Sequence, residues 1–122
     1  MIDFLLRNTG AEQIAARIFA IRETLHAPHL LDLEVAQALR RHCSAGATTL
    51  DRAREALEDF QNLPVTRYRH NLLLHRIWEL RHNATAYDAA YLALAEALGA
   101  EFLTRDAALA TVGWHRAKVT LI

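Results

Sequence analysis

The chain has 122 residues, 52% of them hydrophobic, and fourteen Lys or Arg balance fourteen Asp or Glu, for a formal charge of zero at pH 7. That length suits one domain (residues 1–122) with a real core and excludes two, while the charge balance excludes a protein pulled onto nucleic acid by its overall field. A lone cysteine, Cys43, excludes an internal disulfide and suits a reducing compartment.

The stretch "GAEQIAARIFAIRE" puts Ile14, Ile18 and Ile21 at helical spacing, and "TLHAP" follows as a short extended run ended by Pro28. A helix is predicted from about Leu30 to His42, with Leu31, Val35, Leu39 and His42 on one face. After the turn "SAGATT", the segment "TLDRAREALEDFQNL" reads as an amphipathic helix capped by Thr49. "LPVTRY" is a short β-rich stretch, "HNLLLHRIWELRHN" is helical, and "NATAYDAAYLALAEALG" is a further helix in which Thr85 and Asp88 have capping-box spacing. "EFLT" and "AKVTLI" supply two more strands, with "RDAALA" between them. Short strands alternating with helices predict an α/β fold with a parallel sheet covered on both faces. No apolar run reaches the ~18–20 residues of a membrane span, and "MIDFLLRNTG" lacks the basic start and cleavage site of a secretion signal, so a cytoplasmic protein is expected.

In such a sheet, chemistry gathers beyond the carboxyl ends of the strands. Three acids fall at or just after strand-to-helix handovers: Glu34 after "TLHAP", Asp88 at the start of the helix before "EFLT", and Asp106 directly after "EFLTR". Gathered carboxylates repel one another unless a cation sits among them, and hard oxygen ligands favour Mg²⁺ or Mn²⁺ over zinc. That is the chemistry of phosphodiester hydrolysis. Each acid also has a purely local reading, Glu34 as a first-turn helix acid, Asp88 as a capping residue and Asp106 as the cap of "AALA". Spacing by itself leaves both readings open.

The phrases "HAPHLLDLEVAQALRR", "LPVTRY", "WELRHNATAYDAAYLALAEALGAEFLTRD" and "AKVTLI", in this order from about Thr24 to Ile122, closely resemble the VapC-like toxins of the PIN-domain family. The resemblance implies a three-layer α/β/α sandwich around a short, mostly parallel sheet, and a metal-dependent endoribonuclease that forms the toxic half of a toxin–antitoxin pair. It maps the family's acidic site onto Glu34, Asp88 and Asp106. Asp32, about 200° round the helix from Glu34, is not expected to substitute for it. Arg81, just before the helix that carries Asp88, is the expected phosphate contact. The implied partners are RNA, a small antitoxin that lays an extended or helical segment over the acids, and a second copy of the chain. Apolar positions in "AEQIAARIF" and "LDRAREALEDF" beyond the needs of a small core also suggest a homodimer.

The front of the chain departs from the pattern. Members of the family usually open with a short apolar strand ending in aspartate, followed by a helix resembling "MIDFLLRN". Met1 stands where that helix begins, so the first strand and first aspartate are expected to be missing, and Asp3 aligns past the motif. Two expectations follow: a native start further upstream, or a shortened relative. A shortened relative would be weakened or inactive, a binding protein that titrates antitoxin.

Other features carry less. "RYRHNLLLHRIWELRH" concentrates Arg67, Arg69, His70, His75, Arg76, Arg81 and His82, as an RNA backbone requires, although a solvated helix face would look the same. Trp78 and Trp114 are expected in the core or an interface, with base stacking the lesser alternative. The seven histidines show no paired zinc spacing, Cys43 has no base nearby in sequence, and no G-x-S-x-G supports a serine hydrolase.

Overall fold

A computed structural model describes Met1 and residues 5–7, 9–20 and 22–122. Asp3 and Ile21, both singled out by the sequence, lie outside the described residues. Helices run over Ala11–Ile18 (α1), Leu30–Ser44 (α2), Leu50–Asn62 (α3), Leu74–Glu79 (α4) and Ala86–Leu98 (α5), and strands over Leu25–Pro28 (β1), Val65–Tyr68 (β2), Glu101–Thr104 (β3) and Lys118–Leu121 (β4). The elements follow the predicted order, and the α/β class is as expected. Hydrogen bonds join the described strands in two pairs, β1 with β2 and β3 with β4. The second pair is parallel, in a register that sets Phe102 opposite Val119 and Thr104 opposite Leu121. Parallel neighbours need a crossover of about a dozen residues, and residues 105–117 provide it with a 3₁₀ turn at Leu109–Thr111. No helix among the described residues is long and apolar enough to cross a membrane.

The chain divides into two compact units, one of residues 1–26 and 31–66 and the other of residues 27–30 and 67–122. In the first, the apolar stripe of α2 delivers Val35 and Leu39 to a core shared with Leu5, Ala53, Ala56 and Phe60. Thr49 caps α3 as expected, its hydroxyl accepting from the Arg52 amide at 3.1 Å. Cys43 packs half-buried against this core.

The second unit is built on α5. Its Ala89, Ala90, Leu92 and Ala93 are buried with Ile77 and Leu80 from the α4 region, and small alanines on the helix let its neighbours approach closely. Gly99 closes α5 at φ 61°, with its amide on the Glu96 carbonyl at 3.2 Å and the Ala100 amide on the Ala95 carbonyl at 2.9 Å. Those two bonds satisfy the last carbonyls and need the left-handed residue that glycine supplies without strain. The long helix predicted over "HNLLLHRIWELRHN" is instead a 3₁₀ turn at His70–Leu73 followed by the six-residue α4, which ends in a turn at Leu80–Asn83.

Both tryptophans were expected in a core or interface, and neither is buried in this chain: Trp78 is 67% and Trp114 82% exposed. The core of the second unit is made by alanine and leucine side chains of α5 with Ile77 and Leu80, and neither indole is among the side chains packed against it.

Candidate acidic site

Asp88 lies in the first turn of α5. Thr85 caps the helix with extended backbone, φ −63° and ψ 159°, and its hydroxyl accepts from the Asp88 amide at 3.2 Å. The cap is therefore Thr85; among the described residues no bond from the Asp88 carboxylate to the Thr85 amide completes the expected capping box, and the cap fixes where that carboxylate starts from. Thr85→Ala is expected to cost about 1 kcal/mol of stability by urea unfolding, without altering the Asp88 carboxylate itself.

Asp106 is placed by a different device. The Thr104 hydroxyl accepts from the Asp106 amide at 3.0 Å, and Asp106 Oδ1 accepts from the Ala108 amide at 2.9 Å. Asp106 thus organises a tight turn beyond β3 through an Asx-type bond. Its own carbonyl also accepts from the Leu109 amide at 3.1 Å, but "AALA" is not a helix capped by Asp106: Ala107 and Ala108 form a turn, and the 3₁₀ turn that follows at Leu109–Thr111 has Ala108 at its cap position with no side-chain cap.

One hairpin relates the two acids. The rings of Tyr91 in α5 and Phe102 in β3 stack with centroids 5.5 Å apart and planes 7° from parallel. The chain has therefore reversed at Gly99, and β3 runs back along α5. Asp88 lies three residues before Tyr91, roughly 4.5 Å along the helix axis, and Asp106 four residues after Phe102. Both acids come to the same end of this helix–strand hairpin. Asp88 is half-buried and Asp106 exposed.

Glu34 stands on α2 in the first unit, exposed, whereas Asp32 is half-buried, as their separation round the helix requires. Both take part in polar contacts. No group of three or more His, Cys, Asp or Glu among the described residues is placed to hold a metal ion. The donors that the second unit does supply, the carboxylates of Asp88 and Asp106, are hard oxygens suited to a divalent cation that retains several waters. Neither forms an ion pair with a basic side chain among the described residues. In that chemical sense they fit a hard divalent cation.

Arg81 is exposed beyond α4. Its Nη1 donates to the Trp78 carbonyl at 2.9 Å and its guanidinium lies 4.8 Å from the centroid of the Trp78 ring. A guanidinium has five N–H donors, so the single bond leaves donors for a phosphate. Arg76, by contrast, does not belong to a basic surface. Its Nε and Nη2 donate to Glu96 Oε2 and Oε1 at 2.7 and 2.9 Å, its Nη1 to Glu79 at 3.1 Å, and its Nη2 also to the Trp114 carbonyl at 2.9 Å. The Arg116 amide donates to Glu96 Oε1 at 2.7 Å, and the Glu96 side chain is 6% exposed. Arg76 and the Arg116 amide hold the Glu96 carboxyl below the usual carboxylate range, against desolvation that pushes it up. Sequence reading missed this pair because its members are twenty residues apart on different helices. The available signal was an acid, Glu96, directly after the buried run "LALA".

The PIN domain family matches residues 1–114. The VapC ribonuclease Mb0985 of Mycobacterium bovis is 42% identical over 118 residues, covering 97% of this chain and 89% of that protein. Ribonuclease VapC1 of Mycobacterium tuberculosis is 40% identical over 118 residues, with 96% and 89% covered, and ribonuclease VapC12 of the same species 31% identical over 121 residues, with 99% and 92% covered. Their agreement with this chain spans both units and includes the helix–strand hairpin that carries Asp88 and Asp106. The chain belongs to the PIN-domain family and, within it, to the VapC group.

Proposed function

We propose that this chain is a metal-dependent endoribonuclease, the toxin of a toxin–antitoxin pair, acting in the cytoplasm on RNA phosphodiester bonds. The observation that carries this reading is near-complete coverage by relatives named ribonucleases, in a chain whose Asp88 and Asp106 reach the same end of one hairpin. Asp88 and Asp106 would hold Mg²⁺, with Mn²⁺ an acceptable replacement, and Glu34 would hold it through water or orient the attacking water. Bound there, the ion supplies an activated water and stabilises charge on the phosphate. The capped turn of α5 and the Asx turn after β3 fix the origins of the two carboxylates before substrate arrives, and such fixed charge needs no rearrangement during reaction. Arg81 would bind a phosphate oxygen. In-line attack of water at phosphorus leaves a 3′-hydroxyl and a 5′-phosphate.

A small antitoxin covering the acids with an extended or helical segment would silence the site, a basic side chain meeting the carboxylates. A homodimer is supported by α3, where Leu50 and Leu57, seven residues apart on one face, stand exposed. The test is cleavage of a pool of structured RNA by the purified chain. Cutting is expected with Mg²⁺ and none in EDTA. Cutting that persists in EDTA, or a folded chain that cuts under neither condition, counts against the reading.

A further inference from the structure

An indole in the open is unusual, and around Trp78 the neighbouring charges narrow what can cover it. Leu74, one helical turn earlier, is also exposed, so α4 presents a short apolar strip to solvent. Glu79, the acid of α4, is engaged by Arg76 at 3.1 Å, a guanidinium it shares with Glu96, and by His75 at 3.0 Å. The guanidinium of Arg81 lies over the Trp78 ring and is pinned by the Trp78 carbonyl. Arg69 and His82, near in sequence, are exposed too. The result is a flat aromatic surface carrying a fixed cation, with exposed basic side chains on either side of it in the sequence.

A second copy of the chain would meet this strip through the same patch on both sides and bring Arg81 of each copy toward like charge. A polyanion with flat rings meets no such penalty, and every base has a face that stacks on an indole or a guanidinium plane. We propose that Trp78 and Arg81 form a stacking platform for one unpaired base of a single-stranded RNA, Arg81 also holding the adjoining phosphate. The proposal rests on the reading of this chain as a protein that acts on RNA, and it adds the element that would choose unpaired over paired segments.

The test measures binding with EDTA present, so that cleavage plays no part. In the full chain carrying Trp114→Phe, Trp78 is the sole indole, and titration with a single-stranded oligoadenylate or oligouridylate is expected to quench its fluorescence. Trp78→Ala should weaken that binding by about tenfold, the loss of one stacked base, while Trp78→Phe retains most of it. Arg81→Ala should lower the salt slope by about one phosphate contact. A blunt duplex of the same length should be indifferent to Trp78→Ala. Equal binding of the single strand by Trp78→Ala and the parent overturns the proposal. So does a Trp78→Ala variant that sediments as a smaller species with unchanged RNA binding, which would assign the strip to a second copy. A chain that shows the Trp78-dependent binding yet never cuts RNA leaves the platform standing and removes the nuclease reading; the converse result separates them the other way.

Discussion

Asp88→Asn should reduce RNA cleavage by about a hundredfold or more while leaving the fold in place. The expected size follows the loss seen when one preorganised group facing developing charge is removed. Asn keeps the volume and the amide that bonds to Thr85, so the cap at 3.2 Å survives, and only a negative charge is lost from the first turn of α5. The same substitution should abolish any rise in thermal stability on adding Mg²⁺ or Mn²⁺, since a ligand that binds the native state stabilises it by mass action. Protein prepared identically controls for contaminating nuclease, and Thr85→Ala separates the two roles of this turn, losing stability but keeping the metal-dependent stabilisation that Asp88→Asn abolishes. Full cleavage by Asp88→Asn would remove Asp88 from the site. Loss of cleavage with metal stabilisation intact would place the ion elsewhere and leave Asp88 a role in orienting substrate.

Glu96→Ala should be the most destabilising of these substitutions, by about 3 kcal/mol in urea unfolding. Removing one partner of a buried ion pair is costly, and here Arg76 loses its bidentate bonds to the buried carboxylate and keeps only the more exposed Glu79 and the Trp114 carbonyl. The loss spreads because Glu96 also binds the Arg116 amide, so α4, α5 and the segment ahead of β4 loosen together. The pair also predicts a pH dependence. Arg76 remains charged throughout, and Glu96 is the group that titrates. Its folded pKa lies below the unfolded value of about 4.3, so its stabilisation is complete above that pH and is lost as pH falls through the lower, folded value. Stability of the parent should therefore fall more steeply than that of Glu96→Gln below about pH 4.5. Parallel curves for the two proteins would show that this carboxylate is not the linked group.

The sequence by itself determined the order and kind of the elements, because these depend on neighbours along the chain. Apolar spacing marks α2 and α3, Thr49 and Thr85 are caps whose partners lie three residues away, and the bonds that end α5 at Gly99 are just as local. The acids at the strand-to-helix handovers were visible for the same reason. Only the tertiary structure decided what is not local. It brought Asp88 and Asp106 to one end of a hairpin by stacking Tyr91 on Phe102, and it turned Arg76 from a surface cation into the partner of Glu96. It also left Trp78 and Trp114 in the open, because hydrophobicity favours burial without saying which side chains fill a finite core, and here the buried cluster is built from the alanines and leucine of α5 with Ile77 and Leu80.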